Sequence, residues 1–316
     1  MRILFAGSPS IAVPCLQALC GIKGIELVGV LTNPDTPKGR HGNPVPTETA
    51  EAAEKLNVTP ILKPVKLDTA AREAVKALKP GLLVSFAYGR IFGPKFLELF
   101  SLGGINIHPS ILPKYRGPSP IQAAILNRDS ETGVSIQTLA LEMDTGDILA
   151  MEKFPLTGKE TSHSLSEKAA KIAAQMLPQT LKKIAAGSIQ KSPQDSSQAS
   201  YCALISKEAG LIDWNESASC IEAKIRAFNP WPLLRTIHNG RELLLLKADI
   251  FQNGTKERPA DCKPGYVLGI DKQYGILIQT GDGILSVTEL QYQAKKALFW
   301  RDFLNGARDF PGSQLG

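Results

Sequence analysis

The sequence predicts an α/β chain in two parts: a doubly wound, Rossmann-like N-terminal domain and a C-terminal OB-like β-barrel domain. Over the first 150 residues short apolar runs alternate with segments of helical periodicity, the pattern of a mostly parallel sheet with helices on its faces. A polar, Ser/Gln-rich stretch from Ser188 to Ser200 interrupts that alternation and has no periodicity of its own. Beyond it, short apolar runs separated by Gly, Asn and Asp follow closely on one another, as in a small barrel. Together these observations place a first domain over residues 1–188, a linker over 189–206 and a second domain over 207–316.

Taken in order, the expected strands of the first domain are Arg2 to Ala6, Glu26 to Leu31, Leu82 to Ala87, Gly104 to Ile107 and Val134 to Leu139. Helices are expected at Ser10 to Leu19, Thr47 to Leu56 and Thr69 to Leu78, where apolar residues at three-to-four spacing mix with Lys and Glu. A longer helix over His163 to Ala186 has Thr161 and Ser162 as cap candidates and Gly187 as its stop. In the second domain a helix from Ala218 to Phe228 precedes five expected strands: Leu233 to His238, Glu242 to Phe251, Gly265 to Ile270, Gly275 to Gln279 and Ile284 to Leu290.

Composition excludes several classes. At 316 residues and 43% hydrophobic content the chain can bury two ordinary cores. No run approaches the roughly 20 apolar residues that span a bilayer, and the segment after Met1 has no basic region followed by a long apolar one. A cytoplasmic protein without membrane attachment is expected, and a monomer. The five cysteines are odd in number, scattered and without a C-x-x-C pair, which points to reduced thiols and no structural zinc. Net charge is +6, but residues 207–316 hold 14 Lys plus Arg against 13 Asp plus Glu, so the second domain is not globally basic.

The segment Gly104 to Gly117 carries the chemistry. Strand alternation puts Asn106 and His108 on the same face, so two polar side chains point together from the carboxyl end of a sheet strand, where open α/β sheets place their sites. Pro109 and Pro113 stiffen the loop that follows, whose free backbone groups suit a planar ligand. Downstream, Asp144 precedes a Gly-containing turn that returns to a second strand, while Asp147 reads as a residue that shapes the turn.

The run from Asn106 through Pro109, Ser110, Leu112, Pro113 and Tyr115 to Gly117, followed by Asp144 to Asp147, resembles the 10-formyltetrahydrofolate-dependent formyltransferase superfamily. The chain is similar to it also at Phe5 to Pro9 and Phe86 to Gly89, and departs from it at Gln137, where Met is common. The resemblance implies that Asn106, His108 and Asp144 are catalytic. It also implies that Phe86, Ala87 and Tyr88 hold the pterin through backbone groups, and that Ser110, Ile111, Leu112 and Pro113 contact the folate. An amine attacking the formyl carbon creates an oxyanion, to which Asn106 and a protonated His108 would donate, with Asp144 orienting the ring and favouring its charge. No metal is required.

Ser206 to Trp214, Ile225 to Pro232 and Thr280 to Leu285 resemble the branch of that superfamily whose acceptor is initiator methionyl-tRNA. This implies a local basic footprint rather than a basic domain. Candidates are Lys38 and Arg40 in the long loop from Asn33 to Pro46, Lys182, Lys183 and Lys191 around the linker, and Lys224, Arg226 and Arg235 at the start of the barrel. Hydrolysis of the same donor, or formylation of a small-molecule amine, would use the same three residues. A dinucleotide-binding protein is disfavoured because no G-x-G-x-x-G follows the first strand. A nonspecific RNA-binding module would leave Asn106, His108 and Asp144 unexplained.

Overall fold

A computed structural model describes residues 1–38, 42–252 and 262–316. The chain runs β1 (Arg2–Gly7), α1 (Val13–Cys20), β2 (Glu26–Leu31), β3 (Thr36–Lys38), β4 (Asn43–Val45), α2 (Glu48–Lys55), β5 (Ile61–Leu62), α3 (Thr69–Ala77), β6 (Leu82–Phe86), α4 (Pro94–Leu97), β7 (Gly104–His108), α5 (Pro120–Leu126), β8 (Glu131–Thr138), β9 (Ile148–Pro155) and α6 (Ser162–Ala185). Then follow α7 (Ala218–Ala227), β10 (Leu234–His238), β11 (Arg241–Ile250), β12 (Val267–Asp271), β13 (Gly275–Gln279), β14 (Ile284–Tyr292), β15 (Leu298–Phe299) and α8 (Trp300–Gly306). Two compact units emerge: residues 1–120, 131–155 and 165–203 form one, and residues 121–130, 156–164 and 204–316 the other.

In the first unit seven strands order as β5-β2-β1-β6-β7-β8-β9. Strands β5 through β7 are parallel, whereas β8 and β9 turn antiparallel. Connections from β1 go to β2 on one side and later to β6 on the other, so the strand order reverses beside β1 and opens a crevice at the carboxyl ends. The parallel strands read as continuous apolar runs because helices cover both faces; β6 is buried at all five positions. Thr47 and Asp68 start α2 and α3 by accepting from Ala50 N and Ala71 N, which satisfies first-turn donors that the helix itself cannot. From Tyr88 onward, aromatic residues four apart, Phe92, Phe96 and Phe100, contact one another in succession with ring centroids 5.2, 5.3 and 5.7 Å apart, the first two pairs stacked and the last tilted, which anchors the segment after β6.

The second unit is a path of antiparallel strands, β10-β11-β14-β13-β12, with β15 added to β14. Its core is the inward face of β13 and β14, including Ile276, Ile278, Leu285 and Val287. Register irregularities between Leu245 and Ala248 let the long β11 bend. Helix α7 is capped by Ser217, which accepts from Cys220 N. Neither β15 nor α8 is signalled by periodicity, since each is too short to display it.

His238 on β10 gives this unit a pH dependence. Its ring is 2% exposed, Nδ1 shares a 2.6 Å hydrogen bond with the Tyr292 hydroxyl, and the Phe310 ring meets it edge-on at 4.7 Å. Nε2 is buried and finds no hydrogen-bond partner among the described residues. Burial pushes the imidazole pKa down, with Asp309 opposing and Arg241 reinforcing that shift. A depressed folded-state pKa means the unfolded chain takes up the proton first. Stability is therefore full above about pH 6.5, the unfolded value, and falls as pH drops below it. Denaturant midpoints of the parent should decrease from pH 7.5 to pH 5.5 more steeply than those of His238→Gln. Parallel curves would remove His238 as the cause.

Candidate active site

The site forms where three segments of the first unit meet: the end of β7 with its loop to Gly117, the turn between β8 and β9, and residues 192–202. Antiparallel register pairs His108 with Ser135 and Asn106 with Gln137. That pairing brings Asn106 and Gln137 side by side, both donating to the same oxygen, Asp144 Oδ1, at 3.3 and 2.8 Å. The other oxygen, Oδ2, accepts from Gly117 N at 2.9 Å and faces His108 Nδ1 at 3.5 Å. Asp144 adopts φ 56°, a left-handed turn conformation that Asp tolerates better than most residues. The three residues that the sequence singles out thus lie in contact, and Gln137 joins them.

Proton positions on His108 follow from its partners. Nε2 lies 2.8 Å from Tyr115 O, a carbonyl that can only accept, so Nε2 carries a hydrogen. Nδ1 then presents a lone pair toward Asp144 unless the ring is charged. His108 is 4% exposed. That burial depresses its pKa, with the Asp144 carboxylate and the Tyr115 carbonyl pulling the other way. The expectation that Asp144 keeps the ring charged is corrected here, because loss of hydration outweighs the attraction of one carboxylate. The Nδ1 of the ring is aimed at Asp144 Oδ2.

The loop after His108 is held from below. Ser135 Oγ donates to Ser110 O at 2.7 Å and accepts from Leu112 N at 3.2 Å, while Ser110 Oγ donates to Lys114 O. Ser110 and Leu112 are buried, and Ile111 and Pro113 are partly exposed. Beside the crevice, Phe86 and Tyr88 are buried and Ala87 is exposed at φ 51°. Tyr88 O already accepts from Asn33 Nδ2 at 2.9 Å, which limits the backbone groups this segment has to spare.

Residues 192–202, which read as a linker from composition, lie along the first unit. Ile148 and Ser192 form a bridge, as do Arg116 and Tyr201. Gln194 reaches the Asp144 turn, donating to Asp144 O at 2.8 Å and Gly146 O at 2.7 Å. Arg116 lies within the motif that carries the family resemblance, without an assigned role, and Gln194 is passed over by the sequence reading. A single polar side chain in a Ser/Gln-rich stretch carries no pattern.

The basic residues expected to contact nucleic acid divide into two groups. Lys182, Lys183 and Lys191 are exposed. Lys183 lines an open groove with Met151, Ser188 and Gln190. Lys224, Arg226 and Arg235 instead face carboxylates: Lys224 pairs with Glu216 at 2.5 Å, Arg226 with Glu222 at 2.6 Å and Arg235 with Glu242 at 3.8 Å. Each of these three expected contact residues therefore has a carboxylate beside it. Lys38 ends β3, and Arg40 lies outside the described residues.

Residues 1–181 match the Formyl transferase family and residues 204–308 the Formyl transferase, C-terminal domain family. The chain belongs to the formyl transferase family. Among curated proteins it is similar over its whole length to the methionyl-tRNA formyltransferase of Treponema denticola, at 48% identity covering 98% of each chain. The methionyl-tRNA formyltransferase of Borreliella burgdorferi is 40% identical over 99% of this chain and 98% of its own. Two solved structures share the fold. One is an N-formyltransferase from Helicobacter canadensis in complex with folinic acid and dTDP-3-aminofucose, with TM-score 0.64 and 20% identity over 91% of this chain and 98% of its own. The other is HypX from Aquifex aeolicus in complex with tetrahydrofolic acid, with TM-score 0.64 and 20% identity over 96% of this chain and 47% of its own.

Proposed function

We propose that this chain transfers the formyl group of 10-formyltetrahydrofolate to the α-amino group of methionine on initiator methionyl-tRNA, giving N-formylmethionyl-tRNA for translation initiation in the cytoplasm. The observation that carries this reading is the contact cluster of Asn106, His108 and Asp144 at the carboxyl end of the sheet, in a chain similar over its full length to methionyl-tRNA formyltransferases.

In this reading the folate lies along the crevice between the Phe86 to Tyr88 segment and the Ser110 to Pro113 loop. The amine nitrogen bonds to the formyl carbon, and the carbonyl electrons become an oxyanion. The Asn106 amide has two hydrogens; one goes to Asp144 Oδ1, which leaves the other for that oxyanion. Neutral His108 takes the proton that the amine must lose, and Asp144 stabilises the imidazolium formed. Collapse of the oxyanion breaks the bond to the folate nitrogen, which receives the proton. No step in this sequence of events calls on a metal ion.

Lys182, Lys183 and Lys191 carry the phosphate contacts in this reading, because they are exposed and the paired cations are not free. A transfer assay with radiolabelled donor should give product with charged initiator tRNA and none with uncharged tRNA or free methionine. Its kcat/KM should fall at least about tenfold between 50 and 200 mM salt, since phosphate contacts release counterions. Release of formate at an equal rate with and without tRNA would instead identify a hydrolase.

A further inference from the structure

We infer that Gln194 is a positioning residue for formyl transfer, acting through the Asp144 turn. This rests on the catalytic reading of Asp144 given above. Three observations support it. The orientation of the Gln194 amide is settled by its neighbours: Oε1 accepts from Arg116 Nε at 3.1 Å and Nη2 at 2.8 Å, which leaves Nε2 facing oxygens only. Those oxygens are Asp144 O, Gly146 O and Gln137 Oε1, at 2.8, 2.7 and 3.1 Å. Rotating the amide would set its oxygen against three acceptors and its hydrogens against a guanidinium, so only one orientation is stable.

The hydrogen bonds also run in one direction. Arg116, 2% exposed, donates to Gln194; Gln194 donates to Gln137; and Gln137 donates to Asp144 Oδ1 at 2.8 Å. A chain of donors that begins at a buried guanidinium polarises each amide toward the next, and it ends on the carboxylate that faces His108. The two Nε2 hydrogens serve three oxygens, so one of them is shared, and through them Gln194 also holds both main-chain carbonyls that flank Thr145, which fixes a turn in which Asp144 has φ 56°. Without these bonds the carboxylate loses its aim at His108 while the folate crevice is untouched.

Two substitutions separate positioning from simple satisfaction of Arg116. Gln194→Ala removes both halves of the amide. Gln194→Glu keeps an acceptor for Arg116 but turns the donor half into an oxygen facing three oxygens. We expect kcat to fall about 10- to 100-fold in both variants, the range for a reacting group displaced by up to an ångström, with KM for the folate donor within about threefold of the parent. Gln194→Glu should not rescue Gln194→Ala. In an Asp144→Ala background the Gln194 substitution should add less than about threefold, because both act at one point.

Parent kcat in Gln194→Glu, or losses that multiply fully with Asp144→Ala, would overturn the inference. The assay uses whichever acceptor the parent enzyme formylates. If the parent formylates none, the proposed function fails, and formate release is then the readout for Gln194. Should Gln194→Ala not fold, Gln194→Glu alone decides between the two roles.

Discussion

Asp144→Asn is expected to lower the formyl transfer rate about 100- to 10,000-fold, because proton uptake by His108 depends on the carboxylate that stabilises its imidazolium. The geometry explains why an isosteric change is so damaging. Both carboxylate oxygens accept: Oδ1 from Asn106 and Gln137, and Oδ2 from Gly117 N. An asparagine has one acceptor oxygen, so its amide hydrogens must point either at two side-chain amides or at a backbone N–H. His108 also loses the charge that stabilises its protonated form. Asn106→Ala should cost about 100- to 1000-fold, the usual loss for one oxyanion donor, and His108→Ala about 100- to 10,000-fold, the span for loss of the group that accepts the proton. Single-turnover measurement on all three variants, with folate affinity measured separately, checks this. Asp144→Asn turning over within tenfold of the parent would show that the carboxylate is not part of the reaction.

Gly146→Ala is expected to damage stability and rate together. A Cβ at this position would sit 1.8 Å from Thr138 O and 2.7 Å from Thr138 Oγ1, closer than any real contact. The neighbouring backbone has little freedom to give way. Thr138 N donates to Asp147 O, Asp147 N donates to Thr138 Oγ1, and Gly146 O accepts from Gln194. Relief must come from moving the turn that carries Asp144. Overpacking of this kind costs about 1–3 kcal/mol, and a displacement approaching 1 Å at a reacting group costs about 100-fold in rate. Gly306→Ala is the matched control. Among the described residues nothing lies within 4 Å of a Cβ there, so stability should stay within about 0.5 kcal/mol of the parent. Denaturant unfolding and formyl transfer measured on both variants decide the matter. A Gly146→Ala protein with parental midpoint and rate would mean that the turn is compliant and that its geometry does not set the position of Asp144.

Periodicity carried much of the architecture because the forces behind it are local. The strand at Glu26 to Leu31 and the helix that Thr47 caps follow from a short continuous apolar run and from one polar side chain satisfying a first-turn donor. Side-chain alternation places Asn106 and His108 on one face of β7, which marks the end of that strand as a place for chemistry. Strand pairing is a different matter. Nothing in residues 104–138 taken singly says that Asn106 lies opposite Gln137, yet that register aims two amides at one carboxylate oxygen. Short elements such as β15 and α8 were equally hidden, since two to seven residues cannot establish a period.

Charge and burial were the least readable of all. His108 looks like an ordinary histidine beside an acid until its burial is known, and burial reverses the expected direction of its pKa. Lys224, Arg226 and Arg235 are three basic residues in the sequence, and only the fold shows which carboxylate stands beside each. Gln194 looks like one more residue of a polar linker. Its amide acquires meaning from Arg116, Gln137 and the Asp144 turn, 48 to 78 residues away along the chain. Local order is written in neighbours, whose spacing any reader of the sequence can count. Partnership between distant polar groups depends on which strands pair and how deeply each group is removed from water, and folding alone sets both.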